Sequence, residues 1–452
     1  MDTLIALAQR INGRQVGADA EFMRVNTDSR TLIKGDLFVA LKGERFDGHD
    51  HVAASGAKGA AGALVSRVID CGVPQVVVAD SLKGLQDYAA SWRAGFDLPV
   101  IGITGSNGKT STKQLLSAIV TARGPVLATE GNLNNHIGLP LTLLRLRPEH
   151  CTAVVEMGAN HPGEIAQLCE IARPAIGVVT QAGDAHLEGF GSREGVAHAK
   201  GELFAGLGAN GVAVINNDDH YAPLWKTLAG SAAQITFSLT ERADVSALNI
   251  EAQASAGTRF ELRVPEGRAV VNLPMPGLHN VSNALAAAAC AVALGMELSD
   301  IASGLTRVQP AAGRLTATAT PEGARLLDDS YNANPTSLRA GVEVLATFTG
   351  RRVLVLGDMG ELGPSSEQQH FEAGRTARAR GIDVLFALGT LSRATVEGFG
   401  AGARHFDDVE ALVAALRSQL DAHTTVLVKG SRSSRMERVV AALTGKPLSE
   451  TH

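Results

Sequence analysis

Short apolar runs recur along the middle of the chain, and each run ends in polar or glycine-rich residues. They lie at 99–104, 152–156, 175–180 and 211–216, with stretches of helical character between them. Strands that are apolar on both faces are typical of a mostly parallel sheet covered by helices on both sides. Because ligands of such sheets bind at the carboxyl ends of the strands, we expect the functional groups directly after these runs.

The alternation of strands and helices restarts twice, which predicts three domains. A chain of 452 residues has room for three domains of about 100–200 residues each. We therefore predict an α/β fold with a small N-terminal α/β domain at 1–82, a central domain with a mostly parallel sheet at 83–312, and a C-terminal Rossmann-like domain at 313–452.

Composition and charge restrict the partners. The chain is 45% hydrophobic and carries a net charge of −5, which disfavours general binding to nucleic acids or membrane surfaces. The four cysteines show neither a metal-binding spacing nor a disulfide framework. The acidic, weakly apolar start of the sequence leads us to expect no export signal, and the longest apolar run, 284–294, is too short to span a bilayer. We expect a monomeric cytoplasmic protein with no nucleic-acid partner and no membrane insertion.

The run at 99–104 ends in a turn that predicts nucleoside triphosphate binding, as in P-loop ATPases. The glycines of Gly105-x-x-Gly108-Lys109-Thr110 allow backbone N–H groups to face phosphate oxygens. The lysine can reach the terminal phosphates, and the threonine hydroxyl can bind Mg²⁺. An ordinary glycine-rich turn is the alternative, since Ile103 stands where the strict pattern has its first glycine. The residues expected to hold the nucleotide are Gly105, Ser106, Asn107, Gly108, Lys109, Thr110 and Ser111.

Three other residues gain meaning only together. Glu156 follows a buried strand, where a carboxylate beside a P-loop can hold Mg²⁺, but many such residues are simply solvated. An isolated histidine such as His186 is commonly structural, and a helical lysine such as Lys200 is commonly exposed. Their combination with the P-loop favours a catalytic site.

Several motifs along nearly the whole chain resemble those of the Mur ligases, ATP-dependent enzymes that build the peptide stem of bacterial cell-wall precursors. One of them, DDSYNANP at 328–335, together with GNLNN at 131–135 and GDMGELG at 357–363, is similar to the member that adds D-alanyl-D-alanine to UDP-N-acetylmuramoyl-tripeptide. The other motifs, besides Glu156, are TGSNGKT at 104–110, AHLE at 185–188, AKGE at 199–202, HNVSN at 279–283 and GR at 313–314.

The resemblance implies that ATP converts a substrate carboxylate into an acyl phosphate, which the incoming amine then attacks. Transfer of a phosphoryl group between anions needs concentrated positive charge, supplied by Lys109 and two Mg²⁺ ions. One ion would bind Thr110 and Glu156, and the family places the second near Glu156, His186 and Lys200. An ammonium cannot ligate a cation, so the resemblance implies a carbamate on Lys200, which gives Mg²⁺ a hard oxygen donor.

The resemblance also assigns the remaining ATP contacts. Asn280 and Asn283 lie three apart on one helix face and match the nucleotide-contacting pair, although a helix-capping cluster is the alternative. Arg314 would reach a phosphate, with a catalytic role, and Asp329 the ribose. Both lie in the predicted third domain, so domain closure would complete the site and exclude water.

The substrate residues are also implied by the matching motifs. The first domain would hold the uridine diphosphate through Ser29, Arg30 and Lys42, and the segment 134–136 would line the muramoyl-peptide channel. The proposed contacts of the muramoyl peptide are Asn134, Asn135 and His136, and those of the dipeptide are Tyr331, Asn332 and Asn334.

Competing functions remain. A related Mur ligase or a folylpolyglutamate-type enzyme would add a single amino acid, although the segment 331–334 argues against both. A nucleotide-gated binding protein would hydrolyse the nucleotide slowly, without dependence on an amine. A non-catalytic cell-wall scaffold would leave Lys109, Glu156 and His186 without a role.

Overall fold

The computed structural model describes residues 2–184, 187–240, 242–253 and 257–446 and has an α/β fold. Its strands are β1 (Asp2–Thr3), β2 (Arg14–Val16), β3 (Glu21–Phe22), β4 (Arg24–Asn26), β5 (Asp36–Val39), β6 (Gly62–Val65), β7 (Gln75–Val77), β8 (Val100–Thr104), β9 (Val126–Ala128), β10 (Thr152–Glu156), β11 (Ile176–Val179), β12 (Val212–Asn216), β13 (Ala233–Ser238), β14 (Val245–Gln253), β15 (Gly257–Val264), β16 (Gly267–Leu273), β17 (Thr316–Ala319), β18 (Arg325–Asp329), β19 (Arg351–Gly357), β20 (Val384–Leu388), β21 (Ala403–Phe406) and β22 (Thr424–Lys429). Its α-helices are α1 (Leu4–Arg10), α2 (Val52–Ala57), α3 (Ser81–Ala94), α4 (Lys109–Val120), α5 (Gly138–Leu143), α6 (Glu164–Ala172), α7 (Leu187–Phe190), α8 (Arg193–Ala205), α9 (Ala222–Leu228), α10 (Leu278–Ala293), α11 (Leu298–Arg307), α12 (Pro335–Ala346), α13 (Ser366–Ala379), α14 (Arg393–Phe399), α15 (Val409–Arg417) and α16 (Glu437–Thr444).

The chain forms two compact units, one of residues 1–102, 123–158 and 164–175, and one of residues 103–122, 159–163 and 176–452. The first unit contains a five-stranded sheet in the order β2-β7-β6-β5-β4, parallel except for the β2–β7 pair. Phe38 pairs with Ala63, and both are buried in one core cluster with Val52. Alternate apolar positions of these strands therefore form the core of this sheet.

The central sheet has nine strands in the order β16-β15-β14-β13-β12-β11-β8-β10-β9. Neighbouring strands from β11 to β14 are parallel. Strands β14, β15 and β16 pair with one another in antiparallel fashion. Strands β8, β10 and β11 are buried along their whole length. This confirms the mostly parallel, doubly covered sheet, whose carboxyl ends include the P-loop segment.

The C-terminal sheet lies in the second unit and has the order β17-β18-β22-β19-β20-β21. Its strands are parallel except for the β17–β18 pair. Helices α12, α13 and α14 pack in one core cluster and α15 and α16 in the other. Helices therefore cover both faces of an open sheet, as in Rossmann-like folds, and the predicted α/β class is confirmed. The boundaries near residues 82 and 312 stay predictions.

None of the helices in the described parts of the chain is both long and apolar enough to cross a membrane.

Candidate functional site

Two glycines of the predicted P-loop, which connects β8 to α4, have no space for a side chain. Gly108 precedes α4 with φ +86, and a Cβ there would lie 2.2 Å from Asn283 Oδ1. Gly105 has φ +140, and its Cβ would lie 1.9 Å from Thr180 Oγ1. Positive φ and close contact both require glycine at these positions, and a turn of this kind before a helix is typical of sites that bind an anion at the helix start.

The P-loop is held by contacts with the segment after β11. Ser106 Oγ donates to the Gly183 carbonyl at 3.2 Å and accepts from the Gly183 N–H at 2.9 Å. Thr180 Oγ1 donates to the Asn107 carbonyl at 2.6 Å, and Lys109 Nζ donates to the Gly105 carbonyl at 2.6 Å. These contacts give the loop a fixed conformation.

Asn107 carries a buried hydrogen-bond donor that a ligand of the loop could satisfy. Its Nδ2 is buried without a hydrogen-bond partner among the described residues, and a buried donor without a partner is destabilising. Its Oδ1 accepts a hydrogen bond from Asn334 Nδ2 at 2.8 Å. Asn107 thus links the P-loop to the start of α12, and a contact of its remaining donor with a phosphate oxygen stays a prediction.

The asparagines of α10 lie beside the P-loop helix. Asn280 and Asn283 are buried, and Asn283 Nδ2 donates to Asn280 Oδ1 at 3.3 Å. Thr112 Oγ1 on α4 lies 3.5 Å from Asn283 Oδ1, while Asn280 Nδ2 donates to the Pro276 carbonyl. The structure therefore brings this pair to the loop. Their contact with a nucleotide remains a prediction.

Arg314 also reaches the P-loop. Its Nη2 lies 3.4 Å from Thr110 Oγ1, and its guanidinium carbon lies 4.1 Å from the centre of the Tyr331 ring. Stacking on an aromatic face holds a guanidinium in one orientation without neutralising it. Arg314 is therefore positioned to add positive charge beside the P-loop threonine.

Lys429 is a buried residue that sequence reasoning missed. Its Nζ lies 2.5 Å from Asp329 Oδ2 and donates to the Asn332 carbonyl at 2.9 Å. Burial, with a smaller contribution from the Lys429 charge, lowers the pKa of His279 to about 4. The position of Lys429 directly after the apolar run 426–428 was the available signal. The Lys429 side chain holds both Asp329 and the segment after Asp329 in place.

We expect Lys429→Met to lower the free energy of unfolding by about 3–5 kcal/mol, because it leaves Asp329 as a buried charge without its partner. Urea unfolding followed by circular dichroism measures this. Lys429→Met combined with Asp329→Leu removes both charges and should be less destabilised than the single variant. Arg375→Met, which removes an exposed cation paired with Glu372, serves as the control, with a change below about 1 kcal/mol. Equal stability of the single and double variants would contradict the prediction.

The predicted metal residues are distributed over both units. Glu156 ends β10 in the first unit and is buried, and its N–H donates to Thr129 Oγ1 at 2.9 Å. Lys200 lies buried on α8 in the second unit. Its Nζ donates to the Ala159 carbonyl at 3.2 Å and lies 5.1 Å from the centre of the Phe190 ring.

His186, the other predicted metal residue, lies outside the described residues. Within the described ranges, no group of three or more His, Cys, Asp or Glu residues is placed to hold a metal ion.

The residues predicted to bind uridine diphosphate lie on loops of the first unit. Arg30 is exposed and pairs with Asp28 at 2.8 Å, and hydrogen bonds from Arg30 lower the pKa of Asp28 to about 2. The Ser29 carbonyl accepts from Lys58 Nζ at 2.7 Å, and Lys42 is exposed in a bridge with Asp47. The contact of these residues with an anionic ligand stays a prediction.

The 134–136 segment, predicted to contact the muramoyl peptide, folds into a tight turn. Asn135 Oδ1 accepts the N–H groups of Ile137 and Gly138 at the start of α5. The Asn134 carbonyl accepts the Gly158 N–H at 2.8 Å, and the His136 carbonyl accepts from Gln86 Nε2. These contacts fix the turn, and its role in substrate binding stays a prediction.

Asn332 and Asn334, predicted for the dipeptide, shape the turn between β18 and α12. Asn334 forms a reciprocal capping box with Ser337, a pattern that satisfies N–H groups at a helix start. Asn332 Oδ1 accepts the Ala333 N–H at 2.9 Å. With its amide also bonded to Asn107, Asn334 links this turn to the P-loop. The structure gives it this positional role alongside the predicted one.

Comparison with known proteins covers nearly the whole chain. The models described as "Mur ligase family, catalytic domain", "Mur ligase middle domain" and "Mur ligase, glutamate ligase domain" match residues 21–83, 103–291 and 313–432. The chain is 47% identical to the UDP-N-acetylmuramoyl-tripeptide–D-alanyl-D-alanine ligase of Escherichia coli (strain K12), over 98% of each chain.

Solved structures show the same fold. MurF from Acinetobacter baumannii is 40% identical with a TM-score of 0.91, covering 97% of this chain and 98% of that one. MurF ligase from Thermotoga maritima, in complex with ADP, is 28% identical with a TM-score of 0.83, covering 94% and 97%. The chain belongs to the Mur ligase family.

Proposed function

We propose that this protein is an ATP-dependent, ADP-forming ligase that joins D-alanyl-D-alanine to UDP-N-acetylmuramoyl-tripeptide in peptidoglycan synthesis. The observation that carries the proposal is 47% identity to an enzyme named for this reaction, over 98% of both chains. The P-loop geometry supports the ATP-dependent step, as does the ADP complex of the Thermotoga maritima relative.

The residues around the P-loop account for phosphoryl transfer. Lys109 and the N–H groups at the start of α4 would bind the terminal phosphates of ATP, and Arg314 would neutralise charge that develops on the transferred group. The tripeptide carboxylate receives the γ-phosphoryl group, and ADP leaves. The dipeptide amine then attacks the acyl carbon, loses a proton and displaces phosphate, which forms the amide bond.

Mg²⁺ is the proposed metal cofactor, because the Thr110 hydroxyl and the Glu156 carboxylate each offer a hard oxygen donor of the kind that Mg²⁺ prefers. When bound, Mg²⁺ would neutralise phosphate charge. A carbamate on Lys200 would add another oxygen, and His186 completes the proposed set. Asn280, Asn283 and Asp329 would contact the nucleoside.

The remaining assignments concern organisation. We propose three domains, at 1–82 for the uridine diphosphate end, 83–312 for ATP and 313–452 for the dipeptide, in a protein that works as a monomer in the cytoplasm. Ser29, Arg30, Lys42 and 134–136 would contact the nucleotide-linked substrate, and Tyr331, Asn332 and Asn334 the dipeptide side.

Phosphate release tests the function directly. With ATP, Mg²⁺ and UDP-N-acetylmuramoyl-tripeptide, we expect D-alanyl-D-alanine to stimulate release at least about 100-fold more than D-alanine or glutamate, because a site built for a second residue rejects the shorter ligand. Mass spectrometry should show the pentapeptide product. Stimulation by glutamate instead would favour a folylpolyglutamate-type ligase, and release that no amine stimulates would exclude a ligase.

A further inference from the structure

The strand order of the C-terminal sheet predicts a crevice at the end of β22. This strand lies between β18 and β19, and the helix that follows it, α16, packs on the opposite face from α12 and α13, which follow the two neighbours. When the connections after two adjacent strands lead to opposite faces of the sheet, a crevice opens between the two strand ends. Open α/β sheets bind their ligands in this crevice. The loop 430–435 lies at this position.

The loop after β22 is attached to the end of β19. The Asp358 carbonyl accepts the Ser431 N–H and the Ser434 hydroxyl, each at 2.9 Å. Asp358 Oδ1 also accepts the Ser392 N–H at 2.8 Å. A Cβ at Gly389 would lie 2.5 Å from the same carboxylate. The motif at 357–363 therefore has a structural consequence, because it holds the loop that carries Arg432.

Arg432 lies beside the same aromatic ring as Arg314, which reaches the P-loop. Its guanidinium carbon is 5.8 Å from the centre of the Tyr331 ring, and that of Arg314 is 4.1 Å from the same centre. The two groups are therefore no farther apart than the sum of these distances. Glu437 Oε1 lies 3.5 Å from Arg432 Nη1, and the Arg432 side chain is 47% exposed. A carboxylate ligand can therefore reach the guanidinium.

We propose that Arg432 binds the carboxylate of the incoming dipeptide, a role that rests on the proposed ligase function. Two extended residues span about 7 Å and one about 3.5 Å, so a dipeptide can carry its carboxylate toward Arg432 while its amine lies near the phosphate beside Arg314. A guanidinium suits this task because its planar fork can donate two parallel hydrogen bonds to a carboxylate. Arg432 thus contributes to the choice of a dipeptide as the amine substrate.

The test combines substitution of Arg432 with removal of the carboxylate charge from the dipeptide. We expect Arg432→Ala to raise the KM for D-alanyl-D-alanine about 30-fold, the value of a charge-assisted hydrogen bond, with the KM for ATP changed less than about twofold. D-Alanyl-D-alanine amide, which lacks the charge, should lose a similar factor with the unchanged protein and almost none with Arg432→Ala. Arg432→Lys should lie between the two. Arg375→Ala, which removes an exposed arginine of α13, is the matched control.

The outcomes separate this role from the function on which it rests. If Arg432→Ala still distinguishes the dipeptide from its amide as strongly as the unchanged protein does, Arg432 does not bind the carboxylate. An equal rise in the KM for ATP would also overturn the assignment, since it would indicate general damage to the crevice. If the unchanged protein itself shows no release that depends on the dipeptide, the ligase function fails, and with it the basis of this role.

Discussion

Lys109→Gln is expected to lower kcat at least about 1,000-fold, because removal of a cation aimed at developing phosphate charge has effects of that order. The Lys109 ammonium is held over the loop by the Gly105 carbonyl, so the charge is already oriented. A neutral amide of similar length cannot replace it. Steady-state release of phosphate at saturating ATP and both substrates measures kcat, and product formation confirms that the assay follows ligation.

The control for this prediction is Lys83→Gln, on α3. Lys83 is exposed and pairs with Asp87, so the same change of charge should leave kcat within about twofold, as is usual for surface pairs. Thermal unfolding of the Lys109 variant should match that of the unchanged protein, because Lys109 is partly exposed. A Lys109→Gln enzyme with more than about a tenth of normal kcat would refute the catalytic role of the lysine.

The strand and loop patterns predicted the fold because they depend on local periodicity. The apolar run ending at Thr104, the glycine turn and the helix after it are consecutive in sequence, and the structure has β8, the loop and α4 in that order. The parallel sheets follow from strands that are buried on both faces. The antiparallel ribbon β14 to β16 and the edge pair β17–β18 lacked so clear a pattern.

Contacts between distant residues could not be read from the pattern. Asn107 and Asn334 are 227 positions apart, and Lys429 is 100 positions from Asp329. The Lys429–Asp329 pair forms because β18 and β22 are neighbours in one sheet, whereas Asn107 and Asn334 follow strands of two different sheets. Neither arrangement follows from local periodicity. Asn334 was predicted as a site residue because it lies in the motif at 328–335. Lys429 and Arg432 lie in none of the motifs that carry the resemblance. Their roles became visible once β22 was placed between β18 and β19.

Lys200→Ala is expected to lower kcat by about 1,000-fold or more if a carbamate on this residue supplies a metal-binding oxygen. Lys200 is 1% exposed. Reaction of its neutral amine with CO₂ would convert it into an anion that contains two oxygens. Ligase activity of the unchanged protein should then fall when bicarbonate and CO₂ are removed, and return when they are restored.

Small carboxylates distinguish a carbamate from an ammonium at this position. In Lys200→Ala the removed side chain leaves space beside Phe190 and the Ala159 carbonyl, where formate or acetate can supply the missing oxygens. We expect either acid to raise kcat of this variant at least about tenfold, since it restores a ligand for Mg²⁺, and to leave Lys109→Gln unchanged. An ammonium role predicts the reverse, because methylamine would then restore activity and carboxylates would not. Activity that is indifferent to bicarbonate, together with no rescue by either acid, would exclude the carbamate and leave Lys200 as a buried cation held by Ala159 and Phe190.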